Sequence, residues 1–290
     1  MSLAPDTVES APALSEWIGR GERRSDTLAA APLGGLAALL DRPAELEPVL
    51  GSVVPPLGHW LYFLPQDLQS GIGPDGHAKR GGFLPPVPLP RRMWAGGRLE
   101  FLRDLHVGDE VERRSSITRV ESKQGRSGAL VFVTVRHEIA DARGVALTEE
   151  HDIVYRDPPA PGSAAAAAAL ARTDETFCRR IVPDPVMLFR YSALTFNGHR
   201  IHYDRPYATE VEGYPGLVVH GPLIATLLLD LVRRELPDAR VRGFAFTAAS
   251  PLFDIHPFAV CGRREPDGHV ELWARDHEGA LAMHGRATLG

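Results

Sequence analysis

The stretch "GPLIATLLLDLVRREL", residues 221–236, decides how the chain folds. Pro222 stands where a helix accepts proline, because the N–H groups of a first turn have no intrahelical acceptor. From there to Arg233 the residues are apolar almost all round. A helix of that kind is stable in water only when something encloses it. The runs that follow it, "RVRGFAFTAASPL", "FAVCGRRE", "GHVELWARD" and "GALAMHGRATL", are strand-like and separated by "PDG" and "HEG" turns, so the enclosure is an antiparallel sheet.

The first half has the same grammar. "TLAAAPLGGLAALLD" (27–41) carries helical spacing, which Pro32 and two glycines narrow to an expected helix from about Gly35 to Asp41. "LGHWLYFLP" (57–65) reads as an aromatic strand, and residues 70–97 are rich in glycine and proline. From Arg98 onward "GRLEFLRDL", "DEVERRSSITRVESKQ", "GALVFVTVRHEIAD" and "GVALTEEHDIVYRD" read as strands. Each half is thus a helix followed by a meander, and a curved sheet wrapping one buried helix is the hotdog arrangement. The expected class is α+β with two hotdogs in tandem. The first occupies residues 1–157, a Pro- and Ala-rich linker 158–176, and the second 177–290; Ser163 is placed to cap a short helix through the alanines.

Composition narrows the function. The 290 residues carry a net charge of −5, and no basic block exceeds a pair of arginines, which argues against a nucleic-acid partner. No apolar run approaches the ~20 residues of a membrane span and the N-terminus lacks the regions of a signal peptide, so a cytoplasmic location is expected. Lysine occurs only at Lys79 and Lys123 among 32 basic residues, a bias that suggests a GC-rich bacterial genome. Cys178 and Cys261 are far apart in sequence with no C-x-x-C, and are expected to be small core hydrophobes rather than a disulfide or a thiolate metal site.

One stretch combines charge and aromaticity in a way that neither loops nor buried strands do: "RYSALTFNGHRIHYDRPYATE" (190–210). With "GLVVHGPLIATLL" (216–228) it resembles the paired signature of MaoC-like hotdog hydratases and dehydratases. Tyr191, Ser192, Leu194, Thr195, Ile201, His202, Asp204, Tyr207 and Ala208 match the first motif, and His220 and Gly221 match the second at the start of the long helix. The family's catalytic aspartate falls at Asn197, its asparagine at His199 and its proline at Arg200. That variant, with "LPRRMWAGGRLEF" (89–101) and "LHVGDEVERRSSITRVESKQGRSG" (105–128), is similar to a two-domain subgroup with an N-terminal FAS1-like dehydratase domain.

The resemblance implies reversible hydration of an enoyl-CoA to a 3-hydroxyacyl-CoA, with a branched dicarboxylic thioester (mesaconyl, itaconyl or citramalyl) as a candidate substrate. It implies no cofactor beyond the CoA of the substrate. Such chemistry needs a base for water, an acid for the α-carbon and donors for the enolate-like oxygen. His202 is the expected acid/base, since imidazole titrates near neutrality. Asn197 is expected to hold the water, and the Gly221 N–H, at the positive end of the helix, to serve the oxyanion. Arg200 and His199 are candidates for a second carboxylate, against the plainer reading of Arg200 as an ion-pair partner of Asp204 or Glu210. His220 is either a site residue or a hydrogen-bonded core histidine. No metal is expected at His199 and His202, because no third ligand is evident.

Arg92 and Trp94, in "PRRMWAGG", are expected to touch the adenine nucleotide or pantetheine arm. The first half otherwise matches nothing in the hydratase motif and is expected to have lost chemistry, completing only the acyl tunnel. Two rivals are weighed: a hotdog thioesterase, which Asn197 in place of a carboxylate disfavours, and a non-catalytic acyl-CoA-binding protein, which the retained His202 disfavours. A monomer and a homodimer are both compatible with two hotdogs in one chain.

Overall fold

The computed structural model describes residues 14–125, 128–157 and 168–290. The long helix is where its sequence places it: α3 runs Gly221–Glu235 and buries an unbroken run from Leu223 to Val232. Four strands follow it, β7 (Val241–Ala248), β8 (Phe258–Arg264), β9 (Val270–Arg275) and β10 (Leu281–Leu289), as the alternation requires. In the first half, β2 (Arg91–Phe101), β3 (Glu110–Gly125), β4 (Gly128–Asp141) and β5 (Gly144–Arg156) form the second meander. Two edge strands were not anticipated: β1 (Gly21–Thr27) pairs with β3, and β6 (Phe177–Ile181) pairs with β8.

The ten strands make one antiparallel sheet in the order β1-β3-β4-β5-β2-β7-β10-β9-β8-β6. Strands from residues 21–156 fill one side and strands from 177–289 the other, joined where β2 pairs with β7 from Gly96↔Thr247 to Glu100↔Gly243. The glycine pair at that seam has a packing reason. A Cβ on Gly96 would stand 2.5 Å from the Phe246 carbonyl oxygen and one on Gly97 2.9 Å from the Phe246 ring, so a side chain at either position would push the two meanders apart.

Three expectations need correction. The first-half helix, α1, spans Ala30–Leu39 rather than beginning at Gly35: Pro32 lies in its first turn, where the missing N–H costs nothing. "LGHWLYFLP" is not a strand. Gly58–Leu61 forms a short 3₁₀ turn between Leu57 and Phe63, both with positive φ, and its aromatic residues line the interior rather than a pleat. Cys178 and Cys261, distant in sequence, are register partners across β6 and β8 with sulfurs 3.1 Å apart as free thiols, one exposed and one buried. The first ten residues of the expected linker, Ser163 among them, lie outside the described residues. Beyond them the backbone from Ala169 already pairs with the Gly279–Leu281 segment that opens β10.

Helix α3 buries one charge. Asp230, 2% exposed, accepts from Arg42 Nε at 2.5 Å, Arg179 at 2.9 Å and Arg234 at 2.7 Å. Three guanidinium groups on one carboxylate compensate a desolvation that a lone Asp could not sustain. Arg42 comes from the first half, and so does Glu45, which accepts from Arg233 at 2.8 Å.

Candidate active site

The hydratase-like stretch begins inside a helix, α2 (Pro185–Thr195). Asp184 caps it, its carboxylate accepting the Met187 N–H at 2.7 Å, and Pro185 opens the first turn. The helix ends at Phe196 in the left-handed conformation, which turns the chain through Asn197, Gly198 and His199 into a 3₁₀ turn over Arg200–His202. Asn197 Oδ1 accepts the His199 N–H at 3.0 Å and so shapes that corner.

His202 is 7% exposed, and its Nδ1 donates to the Val218 carbonyl at 2.7 Å. A carbonyl can only accept, so in the neutral ring Nε2 is the bare, basic nitrogen. Burial pushes His202 down to about 4, against the Val218 bond that favours its charged form. Its ring stacks on His220 at 3.6 Å between centroids. His220 is fully buried, shares a 2.8 Å hydrogen bond with Ser192 Oγ and has no partner for Nδ1 among the described residues. Burial holds it well below the usual imidazole range, so it is a neutral ring that supports His202 from behind. Burial likewise pushes His199 down to about 2.

Beside this motif lies a cavity of about 770 Å³, lined from both halves of the chain. Asn197, Gly198, Tyr203 and Pro222 contribute from the second half. His202 and Gly221 are not among the lining residues, though Pro222, next to Gly221, is. Space is open at Gly221, where an added Cβ would meet nothing within 4 Å. Its N–H belongs to the first turn of α3, where amides have no intrahelical acceptor.

Arg200 is not on the cavity wall. Its Nε and Nη2 both donate to Asp204 Oδ2, at 2.9 and 2.7 Å, its Nη1 donates to the Pro74 carbonyl at 3.0 Å, and its guanidinium lies 4.1 Å over the Tyr207 ring. The ion pair with Asp204, the plainer of the two readings, is present, and it leaves the guanidinium turned away from the cavity lining. Arg92 and Trp94 do line the cavity. Trp94 donates to the Gly96 carbonyl at 2.7 Å and meets the rings of Trp60, Phe246 and His151, forming an aromatic wall.

The first half brings far more polar chemistry to this cavity than its sequence suggested. Glu149, 3% exposed, accepts from Trp60 Nε1 at 2.8 Å and pairs with His59 at 3.0 Å and with His151. Burial would raise its carboxyl, but the two histidines more than offset this and hold it well below the ordinary carboxylate range. His137 bonds Ser115 Oγ at 2.8 Å, and burial keeps it neutral. Arg113 also lines the cavity; its Nη2 lies 3.5 Å from Glu22, and its Nε is buried without a partner among the described residues.

A second group arrives in the glycine-rich loop 71–80. Asp75 accepts from the His77 ring Nδ1 at 2.9 Å and from the His77 backbone at 3.0 Å, and the His77 ring lies 4.0 Å from that of His199. Hydrogen bonds from His77 hold the Asp75 carboxyl below its ordinary range despite burial, while burial lowers His77. Ligand-type atoms of Asp75, His77 and His199 lie within 4.8 Å of one another, as do those of Glu175, Cys178 and Cys261. In the first group the carboxylate is already spent on His77 Nδ1, the geometry of a hydrogen-bonded pair rather than of three open ligands. The sequence signal for this loop, "GPDGH", was an Asp–Gly turn with a histidine after it, visible but without any link to a motif more than a hundred residues later.

A buried helix in a ten-stranded antiparallel sheet, a stacked histidine pair at its N-terminal end and an acyl-sized cavity lined by His59, His77, His137 and His151 together fit a double-hotdog hydro-lyase. The chain belongs to the hydroxyacyl-thioester dehydratase type 2 family, whose model it matches over residues 57–254. It is 47% identical to a mesaconyl-C(4)-CoA hydratase of Chloroflexus aurantiacus, over 94% of this chain and 97% of that protein. It is 30% identical to the mitochondrial hydroxyacyl-thioester dehydratase type 2 of Schizosaccharomyces pombe, over 70% of this chain and 75% of that one. A MaoC-like dehydratase from Phytophthora capsici shares the fold with a TM-score of 0.69 at 15% identity, covering 95% of this chain and 98% of the other. The chain is thus an enzyme that hydrates and dehydrates acyl-CoA thioesters. No described helix is long and apolar enough to cross a membrane.

Proposed function

We propose that the substrate is a branched dicarboxylic CoA thioester of the mesaconyl-C4 type, hydrated at a site centred on His202. The 47% identity to a mesaconyl-C(4)-CoA hydratase over nearly the whole chain carries this reading. In such a thioester the free carboxylate sits on the β-carbon, the atom that water attacks. Its counter-cation must therefore stand close to the proton-transfer histidines. Arg92 suits that place: it lines the cavity, and its charge acts on both His77 and His199.

In this reading the bare Nε2 of His202 takes a proton from water as its oxygen bonds to the β-carbon. The Asn197 amide holds that water. The Gly221 N–H, at the dipole-positive end of α3, receives the charge that develops on the thioester oxygen. The aromatic wall of Trp94 and Trp60 packs the pantetheine arm, and residues 1–157 and 177–290 act as two hotdog units sharing one cavity. The test follows enoyl absorbance with mesaconyl-C4-CoA and crotonyl-CoA. Arg92→Ala should lose about 100-fold on the dicarboxylic thioester and little on crotonyl-CoA, while Arg200→Ala should show no such difference. Equal losses on both thioesters in Arg92→Ala would remove the assignment.

A further inference from the structure

Hydration moves two protons, one off water and one onto the α-carbon, yet the hydratase motif supplies one proton-transfer side chain on the reading above. Asn197 has nothing to titrate. We infer that His77, oriented by Asp75, is the second catalytic acid/base, contributed by the first half of the chain in place of the absent aspartate.

The geometry is specific. His77 Nδ1–H is committed to Asp75 Oδ2 at 2.9 Å, leaving Nε2 as the exchanging nitrogen of a ring on the cavity wall next to Asn197 and Gly198. The loop that carries it is keyed to the motif by one backbone and one side-chain hydrogen bond. The Arg200 N–H donates to the Asp75 carbonyl at 2.9 Å, and Arg200 Nη1 donates to the carbonyl of Pro74 at 3.0 Å. Gly76 and Gly198 touch so closely that a Cβ on Gly76, at φ +90°, would fall 1.8 Å from the Gly198 oxygen. A carboxylate behind a histidine stabilises the imidazolium when it forms and fixes the ring, as in hydrolase triads. Among the described residues, His77 is the one of the three clustered rings with a carboxylate hydrogen-bonded to it.

The division of labour follows. The His77 imidazolium gives its Nε2 proton to the α-carbon while His202 takes one from water. The C–O bond forms at the β-carbon, the alkene pair becomes the α C–H bond, and each histidine changes by one proton in opposite senses. His199, with its ring 4.0 Å from that of His77 and 5.4 Å from that of His202, lies between them to return the proton and reset the pair. The charged and titratable groups acting on His77 are Asp75, Arg80, Arg92, His199 and His202.

The inference rests on the hydratase reading, and the experiment separates the two. Wild type, His202→Gln, His77→Gln, His77→Ala and Asp75→Asn are compared for enoyl-thioester hydration, with thermal melts to confirm folding. His77→Gln should lose about 100-fold in kcat with KM little changed. Added imidazole should restore part of the activity of His77→Ala. Asp75→Asn should move the limb of the kcat/KM profile that reports the imidazolium toward lower pH. Near-wild-type kcat in a folded His77→Gln, while His202→Gln is inactive, would overturn the role of His77 and leave the hydratase reading standing. Activity lost to a chelator and restored by a divalent metal would overturn it too, since Asp75, His77 and His199 would then be ligands. A wild-type enzyme inert on every enoyl thioester would overturn both.

Discussion

Gly76→Ala is the sharpest test of how the two halves meet. An alanine there must hold φ near +90° and place its Cβ 1.8 Å from the Gly198 oxygen and 2.7 Å from its carbon. Ordinary contact begins at 3.4 Å, so the loop must retreat by about 1.6 Å. That movement stretches the 2.9 Å bond from the Arg200 N–H to the Asp75 carbonyl past any hydrogen-bonding distance. The left-handed backbone costs an alanine roughly 1–2 kcal/mol and the lost bond about 1 kcal/mol. Spread over a chain this long, a few kcal/mol lowers the melting temperature by about 5–10 °C without unfolding it. Catalysis should suffer more, because a displacement of about 1 Å at a reacting group can cost about 100-fold. The assay is kcat/KM for an enoyl-CoA beside a thermal melt, with Gly71→Ala as control: nothing lies within 4 Å of its would-be Cβ. A Gly76→Ala enzyme within about threefold of wild type would refute the idea that the 71–80 loop is part of the catalytic apparatus.

Other outcomes follow from the same structure. His202 falls from about 6.5 when unfolded to about 4 when folded, so its contribution is complete above pH 6.5 and is lost as pH drops toward 4. Urea titrations should show about 3 kcal/mol of that loss in wild type and a shallower slope in His202→Gln. Glu149→Ala strands Trp60 Nε1, His59 and His151 around a buried hole and should cost at least about 3 kcal/mol in urea unfolding; a loss under about 1 kcal/mol would mean water replaces the carboxylate freely. With sulfurs 3.1 Å apart and one thiol exposed, Cys178 and Cys261 should cross-link within one chain under mild oxidant, seen by mass as the loss of two hydrogens; Cys178→Ser should abolish it.

The hotdog architecture was legible because α3 is apolar on nearly every face and its four following strands alternate cleanly. The same patterning rule missed β1, "GERRSDT", whose residues are charged on both faces and whose pairing comes from its neighbour β3 rather than from burial. Helix α2 had a readable start in Asp184 and Pro185, but only Leu188, Tyr191 and Ser192 are buried on it, too short a face for a clear helical period. Aromatic density at 57–65 reported an interior wall, which a strand and a tight turn can supply equally. At the site, the stacking of His202 on His220, the residue that caps α3, joins the two motifs that the sequence paired, and Asn197 lies on the cavity wall. For Arg200 the sequence left two readings open, and the one that needs only a carboxylate four residues away, the pair with Asp204, is the one seen in the structure. The loop carrying Asp75 and His77 was illegible for a plainer reason: it has no periodicity, and only the closed fold sets it against the motif.

The charges around Asp230 carry an evolutionary consequence. Arg42 and Glu45 reach from the first half to Asp230 and Arg233 on α3. Change on either side leaves a charge without its counterpart on the other, so these positions are free to drift only in step. A chimera that joins the first half of one relative to the second half of another should be viable to the extent that it carries both sides of this exchange from a single parent.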